Sequence, residues 1–342
     1  MITLRDTVIS DCLRTDGYAV ARLLPPEVVE RLRGKILALA ETVADPWSAA
    51  RPLMPNYISL MDEDTVRRNT STELVTANLA PTIAKLFTGY KVLDWSIIAK
   101  GSGVAETSLH QHAPAVQDPF ETSYLVWCAL TDTDEANGAM VVVPGSQRLV
   151  RHIRTYDCSE YFSGYAIRLR EEFGVTVPLK AGEALIIDDN LIHAAFANQS
   201  SSVRLAAAAL VIPEESRHAV FRQGKGEILA MDPLTDGFAI AGTRDTRLRD
   251  WQSEAWQSFP EWKSTATWEQ TKALLQLAGP RASAEFDPLT QFEHLAPKQA
   301  SESAAPPPPG LRRALLRVPG LRTAYRGARR LGSAVRPLIY PS

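Results

Sequence analysis

Apolar residues change their spacing once along this chain. Val29, Leu32, Ile36, Leu39, Ala40 and Val43 recur at three- and four-residue intervals, the stripe of an amphipathic helix. Pro25-Pro26-Glu27 ahead of them suits a helix start, because proline is tolerated in a first turn and an acid is favoured there. A second helical stretch is predicted from Ser71-Thr72-Glu73 to Phe87, divided by Pro81 and stopped by Gly89. From Lys91 the period shortens. Val92 to Ala99, Ser123 to Leu130, Ala139 to Val143, Val175 to Leu179, Ala184 to Ile187 and Leu205 to Ile212 are short apolar runs between turn signals such as Asp132 to Gly138. That rhythm predicts an antiparallel sandwich or barrel. Within it, Ala206 to Ala209 would by itself suggest a helix.

Residues 215–296 leave this rhythm and carry Trp251, Trp256, Trp262 and Trp268 with Phe259 and Phe286. They are read as an extension whose rings pack against the barrel, with an aromatic cap over a pocket as the other reading. Beyond Ala296, Ser301 to Gly310 is a proline-rich linker that cannot fold alone, and an arginine-rich tail follows. The chain thus divides into a domain at 1–296 and a linker with basic tail at 297–342, expected to be disordered.

Composition changes this picture in three places. At 342 residues, 45% of them apolar and 22% charged, the chain can bury a large core. The net charge of −2 conceals an asymmetry, since residues 298–342 hold one Lys and eight Arg against one Glu, a balance of +8 on a body of −10. Leucines interleaved with those arginines predict a weak, salt-sensitive contact with an anionic membrane surface; nothing beside the tail supports specific nucleic-acid recognition. Cys12, Cys128 and Cys158 form no C-x-x-C, which argues against a disulfide framework or a zinc ribbon and fits a reducing cytoplasm. No apolar leader follows the N-terminal charges and no window has the ~18–20 apolar residues of a membrane span, so neither secretion by that route nor integral insertion is expected.

The candidate chemistry lies in the strand region. On an extended strand His110 and His112 point to one face, and two converging neutral imidazoles propose a metal. Asp189-Asn190-Leu191-Ile192-His193 adds a third histidine at the end of an apolar run, and Arg204 follows eleven residues later. His152, His218 and His294 lie apart and are read as surface or core-edge residues. Asp118, six residues past His112, reaches a metal only if its segment folds back.

These segments resemble the phytanoyl-CoA dioxygenase family of non-haem iron, 2-oxoglutarate-dependent oxygenases. The likeness runs over about residues 13–214, from Asp16-Gly17-Tyr18 onward. It is carried by Leu109-His110-Gln111-His112, Trp127-Cys128-Ala129-Leu130, Asn137-Gly138 through Val143-Pro144-Gly145-Ser146, Gly182-Glu183-Ala184-Leu185-Ile186-Ile187, His193, Asn198 and Arg204. The family's carboxylate ligand falls on His112, the histidine after its Pro-Gly-Ser falls on Gln147, and its hydroxyl two residues past the distal histidine falls on Ala195.

The resemblance implies a mainly β (α+β) fold, a double-stranded β-helix of jelly-roll or cupin-like type, with N-terminal helices and a helical C-terminal extension. It makes Ala206 to Ala209 a strand. It implies Fe(II) held by His110, His112 and His193, with Arg204 and Trp127 on the 2-oxoglutarate co-substrate, and O2 as oxidant. The implied activity is oxidation, by hydroxylation, of a small organic or lipid-like substrate. With histidine in the carboxylate position the metal keeps one more positive charge, so it is less electron-rich. Two alternatives stay open: a cupin-type three-histidine dioxygenase that uses no oxo acid, and a non-catalytic relative that keeps the barrel to bind a ligand.

Overall fold

In the computed structural model, the described residues are 3–4, 7–42, 45–47, 55–118, 121–149, 153–155, 160–224, 227–231, 257–260 and 266–278. The linker, the basic tail, Trp251, Trp256, Trp262, Phe286, His152, His294 and Cys158 lie outside them, as does the Phe259 side chain. The described chain opens with β1 (Thr3–Leu4), α1 (Thr7–Thr15), β2 (Tyr18–Arg22) and α2 (Pro26–Ala40), followed by β3 (Tyr57–Ile58), α3 (Thr65–Leu86) and β4 (Phe87–Thr88). The barrel strands are β5 (Tyr90–Lys100), β6 (Thr107–His110), β7 (Tyr124–Ala129) and β8 (Met140–Val142). After α4 (Ala166–Phe173) come β9 (Val175–Val177), β10 (Glu183–Asp188), β11 (His193–Ala195) and β12 (Arg204–Pro213). A further sheet, β13 (Val220–Gln223), β14 (Glu227–Met231) and β15 (Gln257–Pro260), and helix α5 (Trp268–Ala278) complete it.

Two antiparallel sheets build a double-stranded β-helix. The larger runs β2-β10-β7-β12-β5-β3 and the smaller β6-β11-β8-β9. Alternation along the strands divides the core. Leu185, Ile187, Ala206 and Ala208 point between the sheets with Trp127, Ala129, Met140 and Val142. Ala184, Ile186, Ala207 and Ala209 point the other way, under the helices, with Leu32, Ile36, Val75, Leu79 and Ile83. Because both faces of the large sheet are covered, its central strands read as continuous apolar runs. The alanine run is a strand because β12 is paired along both edges, with β5 and with β7, and its small side chains let helices and barrel approach from either side.

α2 buries the face its spacing predicts, Val29, Leu32, Ile36 and Ala40. α3 departs from expectation twice. It begins at Thr65, where the Asp64 carboxylate accepts the backbone N–H groups of Val66 at 2.9 Å and Arg67 at 3.2 Å, a side-chain cap. It also continues through Pro81. Pro81 and Ala77, whose carbonyl loses its helical donor, both lie on the exposed face, while Val75, Leu79 and Ile83 stay buried on the opposite face.

The described part of the C-terminal extension is a three-stranded sheet as well as a helix. Its Trp268 lies against Tyr165 and Phe173 at centroid distances of 5.8 and 6.1 Å, under the Arg168 guanidinium, and so packs the extension on the barrel. Cys12 and Cys128 are free thiols, and burial pushes the Cys128 thiol up to about 12. Among the described residues no helix is long and apolar enough to cross a membrane.

Candidate metal centre

Strand pairing brings the histidines together. β11 lies between β6 and β8, with His193 directly opposite His110 on one side and Val142 on the other. The Pro144-Gly145-Ser146 turn locks that register: Gly145 takes a left-handed φ of 82°, and Ser146 Oγ accepts the Ile192 N–H at 2.8 Å. β6 ends at His110, two residues short of the His112 that an extended H-x-H pair would include. His112 is held instead by its own N–H, which reaches the Asp189 carbonyl at 3.0 Å.

The ring centroids of His110 and His112 lie 4.2 and 4.5 Å from that of His193 and 5.5 Å from each other. One nitrogen from each ring falls within 4.8 Å of the other two. Asp118 has no place in this cluster. Each Nδ1 is occupied: His110 donates to Ser108 O at 2.8 Å, His193 to Leu191 O at 2.8 Å, and His112 to Asp189 Oδ1 at 3.1 Å. The carbonyls have no proton to give, so His110 and His193 carry the hydrogen on Nδ1 and leave Nε2 as the coordinating nitrogen, while His112 turns Nδ1 to a carboxylate and Nε2 to His193. The Nε2 atoms of His112 and His193 face one another at 3.1 Å, close enough to share a proton or a metal ion. Burial, then the neighbouring rings, holds His193 well below the usual imidazole range and His110 at about 4, so these two are neutral ligands at physiological pH. The donor set therefore fits a metal of the imidazole-binding kind, Fe(II) included.

The histidines line a cavity of about 670 Å³ together with Trp127, Arg204 and, from the extension, Phe221. Arg204 is 2% exposed. One guanidinium N–H donates to Gly138 O at 2.6 Å and the plane lies over the Trp127 ring at 4.9 Å, yet Nε has no partner. Among the described residues no carboxylate pairs with it, and burial brings it down to about 10. Lys100 stands opposite in register and is 0% exposed, its Nζ donating to Phe196 O at 2.6 Å and Ala105 O at 3.1 Å. Burial, then the Arg204 charge, lowers Lys100 to about 7. A buried guanidinium without a carboxylate partner, beside a buried lysine, is expensive unless an anion joins them. Gly138 makes room here: its φ is +99°, and a Cβ would stand 3.0 Å from both Lys100 Cδ and Phe196 O.

Other motif residues have structural roles. Asn198 donates to Lys100 O and Ser202 O, both at 2.8 Å, and closes the loop between β11 and β12. Gln147, where the family pattern has a histidine, reaches Arg14 O and Thr15 O at 3.4 Å beside Gly17 and ties α1 to the barrel. His218 forms a bridge with Val116. Sequence reasoning passed over Asp189, Lys100 and Arg154, a buried guanidinium bonded to Asn190 Oδ1 at 3.1 Å and Asp189 O at 2.9 Å. The available signal was polarity out of place: Asp188-Asp189-Asn190 directly after a buried run, and Lys100 at the end of another.

Fold and site together define a double-stranded β-helix protein with an imidazole cluster and a buried arginine, its Nε unpartnered, in one cavity. The chain belongs to the phytanoyl-CoA dioxygenase (PhyH) family, whose profile matches residues 13–206. It is 30% identical over 122 residues to a phytanoyl-CoA dioxygenase of Arabidopsis thaliana, a match that covers 34% of this chain and 43% of that one, less than half its length. Among solved structures it is similar to the epimerase SnoN in complex with Fe3+, alpha ketoglutarate and nogalamycin RO, at 22% identity and a TM-score of 0.46 over 62% of this chain and 85% of that one. It is also similar to EvdO2 of Micromonospora carbonacea var. aurantiaca complexed with 2-oxoglutarate, at 18% identity and a TM-score of 0.42 over 62% and 93%.

Proposed function

We propose that this protein is a non-haem iron, 2-oxoglutarate-dependent oxygenase that hydroxylates a small organic or lipid-like substrate, using three histidines where its family uses two and a carboxylate. The carrying observation is the opposition inside one cavity of three imidazoles, one nitrogen of each within 4.8 Å of the others, and a buried guanidinium without a carboxylate partner. A metal satisfies the first and the far carboxylate of a dicarboxylic oxo acid the second. In this reading His110, His112 and His193 hold Fe(II), which supplies O2 activation coupled to breakdown of the oxo acid to succinate and CO2. Arg204 grips the distal carboxylate through Nε and its free amino edge, a charge-assisted fork held flat by Trp127. Ala195, at the place of the family's hydroxyl, leaves that grip to the cations. Three imidazoles, like two and a carboxylate, leave three positions for co-substrate and O2.

The cavity's apolar share, Ile58, Leu60, Ile98, Leu125 and Phe221 among others, supports a substrate with a substantial hydrocarbon part. The test is anaerobic addition of Fe(II) and then 2-oxoglutarate to the purified protein. The expected result is a visible metal-to-ligand charge-transfer band. Iron that binds and ignores 2-oxoglutarate supports the second reading, a cupin-type dioxygenase, which the all-nitrogen donor set favours. No metal at all points to a non-catalytic binding protein.

A further inference from the structure

Where the family pattern has a carboxylate ligand, this chain has His112, and a carboxylate stands directly behind that ring. Asp189 Oδ1 lies 3.1 Å from His112 Nδ1, and Asp189 is 3% exposed. Its other oxygen accepts the Ser123 hydroxyl. Its main chain is also engaged: the carbonyl accepts the His112 N–H at 3.0 Å and an Arg154 N–H at 2.9 Å, and the amide donates to Ser123 O at 3.1 Å. His112 is thus clasped by one residue through both backbone and ring. The other two imidazoles rest on neutral carbonyls, of Ser108 and Leu191. Within the cluster only the histidine in the carboxylate's place leans on a charged acceptor.

We infer that Asp189 is a positioning residue for the metal, returning through the His112 ring the negative charge that the histidine removed from the coordination sphere. The inference rests on the metal reading proposed above. Three neutral imidazoles leave a divalent ion its full charge, and a carboxylate one ring away sets a negative charge behind the ligand that replaced the family's own, with Arg154 and Glu160 as further charged groups around the cluster. An acceptor on the far nitrogen also fixes the tautomer and makes the coordinating nitrogen a better donor, and losing such a partner typically costs about 10–100-fold in metal affinity. An asparagine carbonyl accepts the same ring N–H, and the Arg154 guanidinium beside the Asp189 carbonyl also steadies a buried carboxylate, so the Asn variant is what separates a structural role from one that depends on charge.

The test is a two-by-two comparison in the full chain under anaerobic conditions: native, Asp189→Asn, His112→Asp and the double variant. Each is titrated with Co(II), read by calorimetry and by its visible ligand-field spectrum. Asp189→Asn should weaken Co(II) about 10–100-fold when His112 is present. It should cost nothing, or improve binding, when His112 is Asp, because the ring that transmits the charge is gone and two carboxylates no longer crowd. An equal loss in both backgrounds, or no loss in the native background, overturns the inference and leaves the oxygenase reading standing. A native chain that binds no Co(II) overturns both. Should Asp189→Asn fail to fold, a long-range 1H–15N spectrum of the native apoprotein decides: His112 must be the Nδ1–H tautomer, and an Nε2–H tautomer overturns the inference.

Discussion

Two parts of one cavity wall are built on opposite principles. On the histidine side burial holds His110 and His193 neutral, every Nδ1 is spent on an oxygen, and the Nε2 atoms crowd to 3.1 Å at their nearest. On the arginine side the buried groups are basic, Arg204 with an unpartnered Nε and Lys100 opposite it. The first lacks a positive charge and the second a negative one. In a low-dielectric interior neither deficiency is cheap, and in the proposed reading a metal would answer the first and an oxo acid the second. The difference teaches how to separate the two binding steps: substitutions on one side should leave the other's ligand in place.

The largest expected effect is on the histidine side. His193→Ala removes the ring that touches both others, so metal affinity should fall by more than the roughly 100-fold upper range for losing an outer partner. Equilibrium dialysis with Fe(II) measures it, and retention of near-native affinity would mean that His110 and His112 hold the ion without β11. Arg204→Ala is the mirror experiment. Each hydrogen bond to a charged group is worth about 1.5–3 kcal/mol, so 2-oxoglutarate should weaken about 10–100-fold while metal affinity stays within about twofold. Arg204→Lys should rescue little, because an ammonium neither forks nor stacks. Loss of metal in Arg204→Ala would break the separation of the two sides.

Lys100 sharpens the comparison through pH. A lysine in an unfolded chain titrates near about 10.4, whereas in the fold burial and Arg204 bring it to about 7. Between these values the unfolded chain holds the extra proton, so this lysine makes stability rise with pH across the window and contributes no slope below it. Urea melts at several pH values, native against Lys100→Met, should show the slope only in the native protein. Saturating 2-oxoglutarate should flatten it by keeping Lys100 charged. An unchanged slope in Lys100→Met would assign the effect to another group. The smallest effect is expected at Gly138. Ala there is forced to a positive φ, at about 1–2 kcal/mol, and presses on Lys100 and the Phe196 carbonyl, so a thermal melt should drop while metal affinity holds.

Much of the architecture is local in origin and could be read residue by residue. The α2 stripe, the short apolar runs that became β5, β7, β8, β9, β10 and β12, and the turn at Asn137-Gly138 are set by side-chain period and backbone preference, which act over a few residues. The motif spacing likewise named the histidines and Arg204, which the fold brings into one cavity. What escaped depends on neighbours far away in the chain. Ala206 to Ala209 has a helical preference that two flanking strands override. Pro81 breaks no helix, because the face it occupies is the wet one, and which face is wet depends on where β5 lies. Asp189 is 77 residues from His112, and Lys100 meets Arg204 only through the β5–β12 pairing. The sequence by itself determined which residues could bind a metal and an anion, since that is a matter of side-chain chemistry. Only the tertiary structure decided their charges and partners, because burial and distance, not residue type, set how much a charge costs and what must stand beside it.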